Sequence, residues 1–395
     1  MLLQNKKVAI VGGGPGGLTL AKLLQLKGVE VKVYERDLDK NARVQGSPLD
    51  LHDDSGLAAL RKAGLLDDFK NNFMVGADQS TITNHKAEIF FSDHGEKQDE
   101  NFGDEHFRPE IDRGVLRKIL LESLNPKIIL WNSHFLSMTQ QDEGWLLHFK
   151  NKESVYADIV IGSDGANSKI RPYLTDIKPF YSGITMLEGN VYDAEKRVPN
   201  ISKILRGGKI MAFGNEQNIL MGQKANGEIG FYASFKADEN WAVASGLDFS
   251  NQSEVLKWFQ KEYPDWSPIW YELFENTSAP FIPRPIYCMP LEQNWKTVKN
   301  LTIIGDAAHL MPPFAGEGVN MAMLDALELS EFLTSSQCNT IENAISDYET
   351  NMFKRASKIA QESLENGERM HSENALTTML DFFNSHKDVK KKFDK

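Results

Sequence analysis

Two glycine-rich segments carry most of the chemistry that this 395-residue chain could perform. The first, Gly12-Gly13-Gly14-Pro15-Gly16-Gly17, follows the apolar run Val8-Ala9-Ile10-Val11 and precedes Leu18-Thr19-Leu20-Ala21-Lys22-Leu23-Leu24. Strand, tight turn and helix in that order form a pyrophosphate site. Gly12 permits the turn, Gly14 lets backbone approach the phosphates, and Gly17 lets helix pack on strand, while the helix beginning near Pro15 offers its N-terminal N–H groups. Glu35 ends the next strand, about twenty residues on, where a carboxylate can accept hydrogen bonds from ribose hydroxyls. A glycine-rich turn can also be purely conformational. The strand before, the helix after and the acid beyond favour a nucleotide, but the pattern does not separate FAD from NAD.

The second segment is Gly305-Asp306-Ala307-Ala308-His309-Leu310-Met311-Pro312-Pro313-Phe314-Ala315-Gly316-Glu317-Gly318-Val319-Asn320, after the apolar strand Leu301-Thr302-Ile303-Ile304. Between the two, Asp158-Ile159-Val160-Ile161-Gly162-Ser163-Asp164-Gly165 reads as another strand ending in an acid, with a helix expected to start at Ser168. Acidic residues at strand ends sit where open α/β sheets bind ligands. Together the three segments resemble the class A FAD-dependent aromatic monooxygenases, flavoproteins similar to para-hydroxybenzoate hydroxylase. The resemblance implies Asp306 on a ribityl hydroxyl of FAD, Asp164 at both FAD and NAD(P)H, and Pro313 with Phe314 holding the loop rigid beside the flavin ring. Val319, Ala322, Met323, Ala326 and Leu327 give one apolar helical face, so a helix opens at Gly316-Glu317-Gly318-Val319-Asn320. Its N-terminal amides would stabilise the negative edge of reduced flavin as an oxyanion hole does. His309 is expected to brace the loop by hydrogen bonding rather than to act as a base.

The resemblance tightens to the TetX-type tetracycline-inactivating monooxygenases through Tyr34-Glu35-Arg36-Asp37, Leu49-Asp50-Leu51-His52, Lys62-Ala63-Gly64-Leu65-Leu66, Glu110-Ile111-Asp112-Arg113 and Leu116-Arg117. It implies Arg43 near NADPH and the flavin, and Arg36, Asp50 and Arg113 at the cofactor. The glutamine and arginine with which those enzymes grip the drug fall at Glu188 and Lys209, and their histidine at Gly230. Met211, Met221, Phe314, Asn366 and Met370 complete the expected substrate set. An ammonium in place of a forked guanidinium, with an added carboxylate, changes which polar edge a pocket accepts. Glu188 and Lys209 are read either as substrate contacts or as an internal ion pair.

The resemblance implies a single-component FAD monooxygenase. NADPH, with NADH also admissible, reduces the flavin; dioxygen adds to give a C4a-hydroperoxide, which hydroxylates an electron-rich aromatic or enolic substrate. The flavin carries the chemistry and no side chain serves as a nucleophile, while the protein orients and excludes water. Inactivation of tetracyclines, and with it antibiotic resistance, is one implied outcome. The alternatives are a monooxygenase of another polycyclic or phenolic compound with no tetracycline activity, and a noncatalytic flavin-bound protein that only binds its ligand.

The elements that must position these residues interleave along the chain. The expected class is α/β: a Rossmann-like FAD-binding domain (residues 1–72, 104–176 and 283–335), interleaved with a β-sheet substrate domain (73–103 and 177–282), plus a long C-terminal helix and tail (340–395) bridging the two. Ile210-Met211-Ala212-Phe213, Ile219-Leu220-Met221 and Ile229-Gly230-Phe231-Tyr232-Ala233-Ser234-Phe235 are short β-rich runs, separated by turn residues. One helix, 255–263, is expected among them, and another over 341–369. A net charge of −11 argues against a nucleic-acid partner, since phosphate binding needs a basic patch. Two cysteines, Cys288 and Cys338, fit neither a disulfide framework nor a metal site, which suits a reducing cytoplasm. No apolar stretch is long enough to span a membrane. The expected protein is a cytoplasmic monomer whose partners are O2 and a small aromatic or polycyclic substrate.

Overall fold

The computed structural model describes residues 2–42, 48–95, 101–104, 107–278 and 280–393, with side chains as far as residue 384. Apolar strands that are covered on both faces build a parallel sheet. Its five members lie in the order Leu301–Ile303, Ile159–Gly162, Lys7–Val11, Glu30–Tyr34, Ile129–Leu130, and every pairing is parallel. Val8, Ala9, Ile10 and Val11 are buried at its centre. The carboxyl end of Lys7–Val11 therefore lies between those of its two neighbours, where open α/β sheets take their ligands.

This sheet belongs to a first compact unit, Met1–Phe73, Asn101–Phe180 and Tyr287–Ser363. Helix Pro15–Leu26 runs against helix Gly318–Thr334 so closely that a Cβ on Gly16 would stand 2.9 Å from the Ala322 carbonyl oxygen. The helix expected at Ser168 does not form. Asp164 and Ser168 side chains satisfy the local backbone, with Ser168 Oγ accepting from the N–H groups of Ile170 and Arg171, and only a 3-10 turn, Arg171–Tyr173, follows. Local side-chain caps of this kind compete with helix.

The second unit comprises Met74–Glu100, Tyr181–Ile286 and Leu364–Lys395. Its seven-stranded sheet runs Ile282–Cys288, Phe180–Val191, Ile229–Lys236, Gln217–Gln223, Lys209–Gly214, Ser80–Asn84, Ile89–Ser92. One face carries Leu187, Ile210, Ile219, Met221 and Phe231, packed with the aromatic cluster Phe259, Tyr263, Trp266, Trp270 and Phe274. Helix Gln252–Glu262 occupies the expected stretch, and its cap Asn251 accepts from Glu254 N–H. Helix Pro199–Leu205 was not expected among strands. Proline at its start needs no N–H there, and Ile201 and Leu205, one turn apart, are both fully buried, which a short apolar run does not announce. The long helix forms as Ile341–Met370. What was read as a tail is a second helix, Ala375–Phe393, seated by Phe383 against Phe91 with ring centroids 5.3 Å apart.

Candidate functional site

In the first unit the glycine turn divides into glycines the fold requires and one it does not. Gly12 has φ +110°, and a Cβ there would meet the Ser163 carbonyl oxygen at 2.1 Å; a Cβ on Gly17 would meet the Gly12 carbonyl oxygen at 2.2 Å. Gly14 has φ −78° and ψ 178°, with nothing within 4 Å of where a Cβ would stand. It is also the N-cap of helix Pro15–Leu26, with no side chain to cap the first-turn N–H groups. Glu35 is 2 % exposed. It accepts from Gly13 N–H at 2.5 Å and Asp37 N–H at 3.0 Å. Arg36 beside it is exposed. Arg43 lies outside the described residues.

The second motif is tied to the same strand ends. Arg171 donates from Nε to the Ala307 carbonyl at 2.7 Å and from an Nη to the Asp306 carbonyl at 2.9 Å, clamping the segment. His309 Nε2 lies 2.5 Å from Asp325 Oδ2, which also accepts from Gly305 N–H at 2.8 Å, and Arg355 closes on the other oxygen at 2.8 Å. This bracing role matches the expectation for His309. Asp306 is open to solvent by area, yet desolvation raises its carboxyl pKa against the charges of His309, Arg113 and Arg171. The charge of Arg113 acting on this carboxyl places Arg113 near Asp306. Asp164 is engaged by Ser168 Oγ at 2.6 Å and Lys169 N–H at 2.7 Å, so it shapes its own loop.

A third group gathers where Leu49–Asp50 meets the start of helix Gly318–Thr334. Asn320 Nδ2 donates to the Asp50 carbonyl at 3.0 Å, and Asn320 Oδ1 accepts from His52 N–H at 3.0 Å. His52 Nε2 and Nδ1 lie 3.1 Å from Asp50 Oδ2 and Glu317 Oε1. Gly316, at φ +70°, would bring a Cβ to 3.5 Å from both Asp50 carboxylate oxygens, whereas a Cβ on Gly318 would meet nothing within 4 Å. Glu317 stands at the N-cap and makes no side-chain cap. Pro313 and the half-buried Phe314 form the 3-10 turn leading in, and Val319 is half-buried. The residues present fit a flavin dinucleotide: two helix N-termini without side-chain caps, glycines with open space beside each, and carboxylates at the strand ends. His52 and Arg171 were missed as site residues, although the period-two spacing of Asp50 and His52 was visible.

In the second unit, register sorts the expected substrate residues by face, because directly paired residues share one. Glu188, Tyr232, Leu220 and Met211 form one row across the sheet, and Asn190, Gly230, Gly222 and Lys209 the next. Met221 is set apart. It pairs with Ile210 and Phe231 on the opposite face and is 4 % exposed within the core. Glu188, 8 % exposed, takes Arg284 as its ion partner. Lys209 sits three strands across, about 14 Å at the usual strand spacing, so the Glu188–Lys209 pair allowed by the sequence gives way to Glu188–Arg284. Lys224, 4 % exposed, donates to Asn190 Oδ1 at 2.7 Å. Met370 and His371 meet the same face one row on: Ser234 Oγ and Asn218 Nδ2 reach His371 Nε2 at 2.7 and 3.1 Å, and Asn218 Nδ2 also donates to the Met370 carbonyl. Asn366 is one turn earlier on that helix.

Among the described residues no group of three or more His, Cys, Asp or Glu could hold a metal ion, and no helix is long and apolar enough to cross a membrane. A family model described as an FAD binding domain matches residues 5–218 and 291–363. The monooxygenase asqM of Emericella nidulans is 28 % identical over 425 residues, covering 90 % of this chain and 94 % of that protein. Among solved structures, Klebsiella pneumoniae HpxO complexed with FAD and uric acid shares the fold with a TM-score of 0.75 at 18 % identity, covering 96 % of this chain and 92 % of that one. The tetracycline destructase Tet(51) does so with a TM-score of 0.69 at 17 % identity, covering 98 % and 95 %.

Proposed function

The chain belongs to the FAD binding domain family, and from that premise we propose that this flavoprotein monooxygenase uses NAD(P)H and O2 to hydroxylate a small, electron-rich aromatic or enolic compound. The first unit would bind FAD and the second would bind the substrate. The observation that carries the reading is the turn Gly316-Glu317-Gly318, where a helix N-terminus without a side-chain cap meets open space beside Gly318. A nucleotide site needs one such N-terminus for its pyrophosphate, and the Gly14 turn supplies it; the second suits a cofactor whose ring turns anionic on reduction.

When bound, FAD would relay two electrons from NAD(P)H to O2 and so activate the oxygen, chemistry that no side chain here could perform. The chain's own residues hold and orient. Gly12, Gly14, Pro15 and Gly17 would seat the pyrophosphate, Glu35 a ribose, and Asp306 the ribityl chain, with Asp50 and Arg113 alongside. Arg171 and the His309–Asp325–Arg355 network keep the Asp306 segment rigid. On the second unit's sheet, Glu188 with Arg284, Lys209, Asn190 and Met211 present both charges beside an apolar strip, and the facing glycines Gly222 and Gly230 leave bare backbone between them. A flat molecule with polar edges suits that surface. Relatives named for 3-amino-4-hydroxybenzoate and 6-hydroxynicotinate act on such rings. Because Glu188, Lys209 and Gly230 stand where the drug-gripping glutamine, arginine and histidine are expected, we favour a compound of this class over a tetracycline. Two buried free cysteines are consistent with a cytoplasmic setting.

The test is mass spectrometry after aerobic incubation of the FAD-loaded protein and NADPH, with a tetracycline in one arm and hydroxylated benzoates and pyridines in others. A product one oxygen atom heavier in a ring-compound arm supports the reading; the same gain on tetracycline alone would reassign it to a drug-inactivating enzyme. Ligand binding with no stimulated NADPH oxidation in any arm would leave the noncatalytic alternative.

A further inference from the structure

His52 occupies a place that a neutral imidazole could not satisfy. Its side chain is 7 % exposed, and its two ring nitrogens lie 3.1 Å from Asp50 Oδ2 and 3.1 Å from Glu317 Oε1. Ionised carboxylates only accept, so both nitrogens must donate, and only the imidazolium carries two N–H groups. The ring is held from behind, because His52 N–H donates to Asn320 Oδ1 and Asn320 Nδ2 donates to the Asp50 carbonyl. The charged groups that face it are Asp50, on Leu49–Asp50, and Glu317, at the cap of Gly318–Thr334.

The position gives that charge a consequence. Helix Gly318–Thr334 points its N-terminus at the place proposed for the cofactor's negative edge, yet two carboxylates flank the approach. Their field opposes charge developing there, and one imidazolium cancels half of it. We propose that His52 is a positioning residue that remains protonated in the working enzyme, ties Asp50 to the Gly316-Glu317-Gly318 turn, and supplies positive charge that favours the reduced cofactor. The cofactor half of this rests on the reading above; the charge half does not. Burial pulls the His52 pKa down, but the hydrogen bonds its ring donates to Asp50 and Glu317, together with their charges, outweigh it and bring it to about 9. The folded pKa lies above the unfolded one, so the clamp's stabilisation is complete below pH about 6.5 and is lost as pH rises through about 9.

Two measurements test it. In the protein without FAD, the imidazole nitrogen shifts of His52 should report a doubly protonated ring up to pH about 9; titration at or below the ordinary histidine value would overturn the proposal. In the FAD-loaded protein at pH 6, acidic enough for His52 to keep its second proton beside Asp50 alone, His52→Gln should lower the flavin midpoint potential and weaken binding of reduced relative to oxidised FAD by roughly tenfold, whereas Glu317→Gln should raise the potential. Opposite signs mark electrostatics; shifts of the same sign, or none, would overturn it. The wild-type potential should also fall more steeply above pH about 9, a feature absent in His52→Gln. Should His52→Gln not fold, Glu317→Gln and the nitrogen shifts decide. A wild-type chain that binds no FAD would overturn the cofactor half and the family reading together, leaving the nitrogen shifts to decide the charge.

Discussion

Gly14→Ala should separate what the fold needs from what the cofactor needs. Alanine adopts φ −78°, ψ 178° without strain, and its methyl would meet no protein atom within 4 Å. Losing glycine at an N-cap costs about 1 kcal/mol, and stiffening the unfolded chain returns roughly 0.4–1 kcal/mol. The cofactor-free protein should therefore melt within a few degrees of wild type. Bound pyrophosphate has to approach this backbone closely, and a methyl there displaces it from the helix N–H groups. Each charge-assisted hydrogen bond is worth about 1.5–3 kcal/mol, so losing one or two weakens FAD about a hundredfold. The assay is flavin-fluorescence titration of the apo protein alongside thermal melts. Gly12→Ala is the control, since its Cβ would overlap the Ser163 carbonyl at 2.1 Å in a left-handed conformation, and it should be unfolded or severely destabilised. FAD affinity within threefold of wild type for a folded Gly14→Ala would refute the assignment of this turn to the pyrophosphate. Destabilisation of Gly14→Ala comparable to that of Gly12→Ala would refute the claim that the fold leaves the position open.

His371 should make the second unit acid-sensitive. Buried, with Nδ1–H donating to the Gly367 carbonyl at 2.7 Å, it is held neutral by desolvation at a pKa of about 4. A folded pKa below the unfolded value means that its contribution is complete above pH about 6.5 and is lost as pH falls toward 4. Urea unfolding at pH 5 should show about 2 kcal/mol less stability than at pH 7, a slope that His371→Asn removes; an unchanged slope in that variant would discount the assignment. Met221→Ala should lose roughly 2–4 kcal/mol with KM for the substrate little altered, while Met211→Ala, half-buried on the other face, should cost under about 1 kcal/mol and shift KM. A KM effect from Met221 larger than from Met211 would contradict the register.

The first unit was legible because its constraints are local. The need for glycine at Gly12 arises within one turn and its neighbouring strand, and Glu35 follows at the spacing that one crossover helix imposes. The boundary at Ser168 was misread for a local reason too. An apolar strand followed by Ser and Asn looks like a helix cap, but side chains already bonding the loop remove the need for a helix.

The second unit hid the face proposed for the substrate because pairing decides it. Within Ile219-Leu220-Met221, alternation alone shows that Leu220 faces away from Met221, but not which of the two faces the core. That choice follows from Met221 lying opposite Phe231 and Ile210, positions supplied by two other strands. The ion pair behaves alike: Glu188 and Arg284 are 96 residues apart, and only the return of Ile282–Cys288 to the sheet edge beside Phe180–Val191 brings them together. His52 lies between these cases. Its spacing from Asp50 is local and visible, but its charge follows from Glu317, which arrives from the far end of the chain. A histidine beside one carboxylate can share a single proton and remain neutral; a second carboxylate on the opposite nitrogen demands the second proton. Tertiary structure here sets the protonation state of a residue that the motif had already placed.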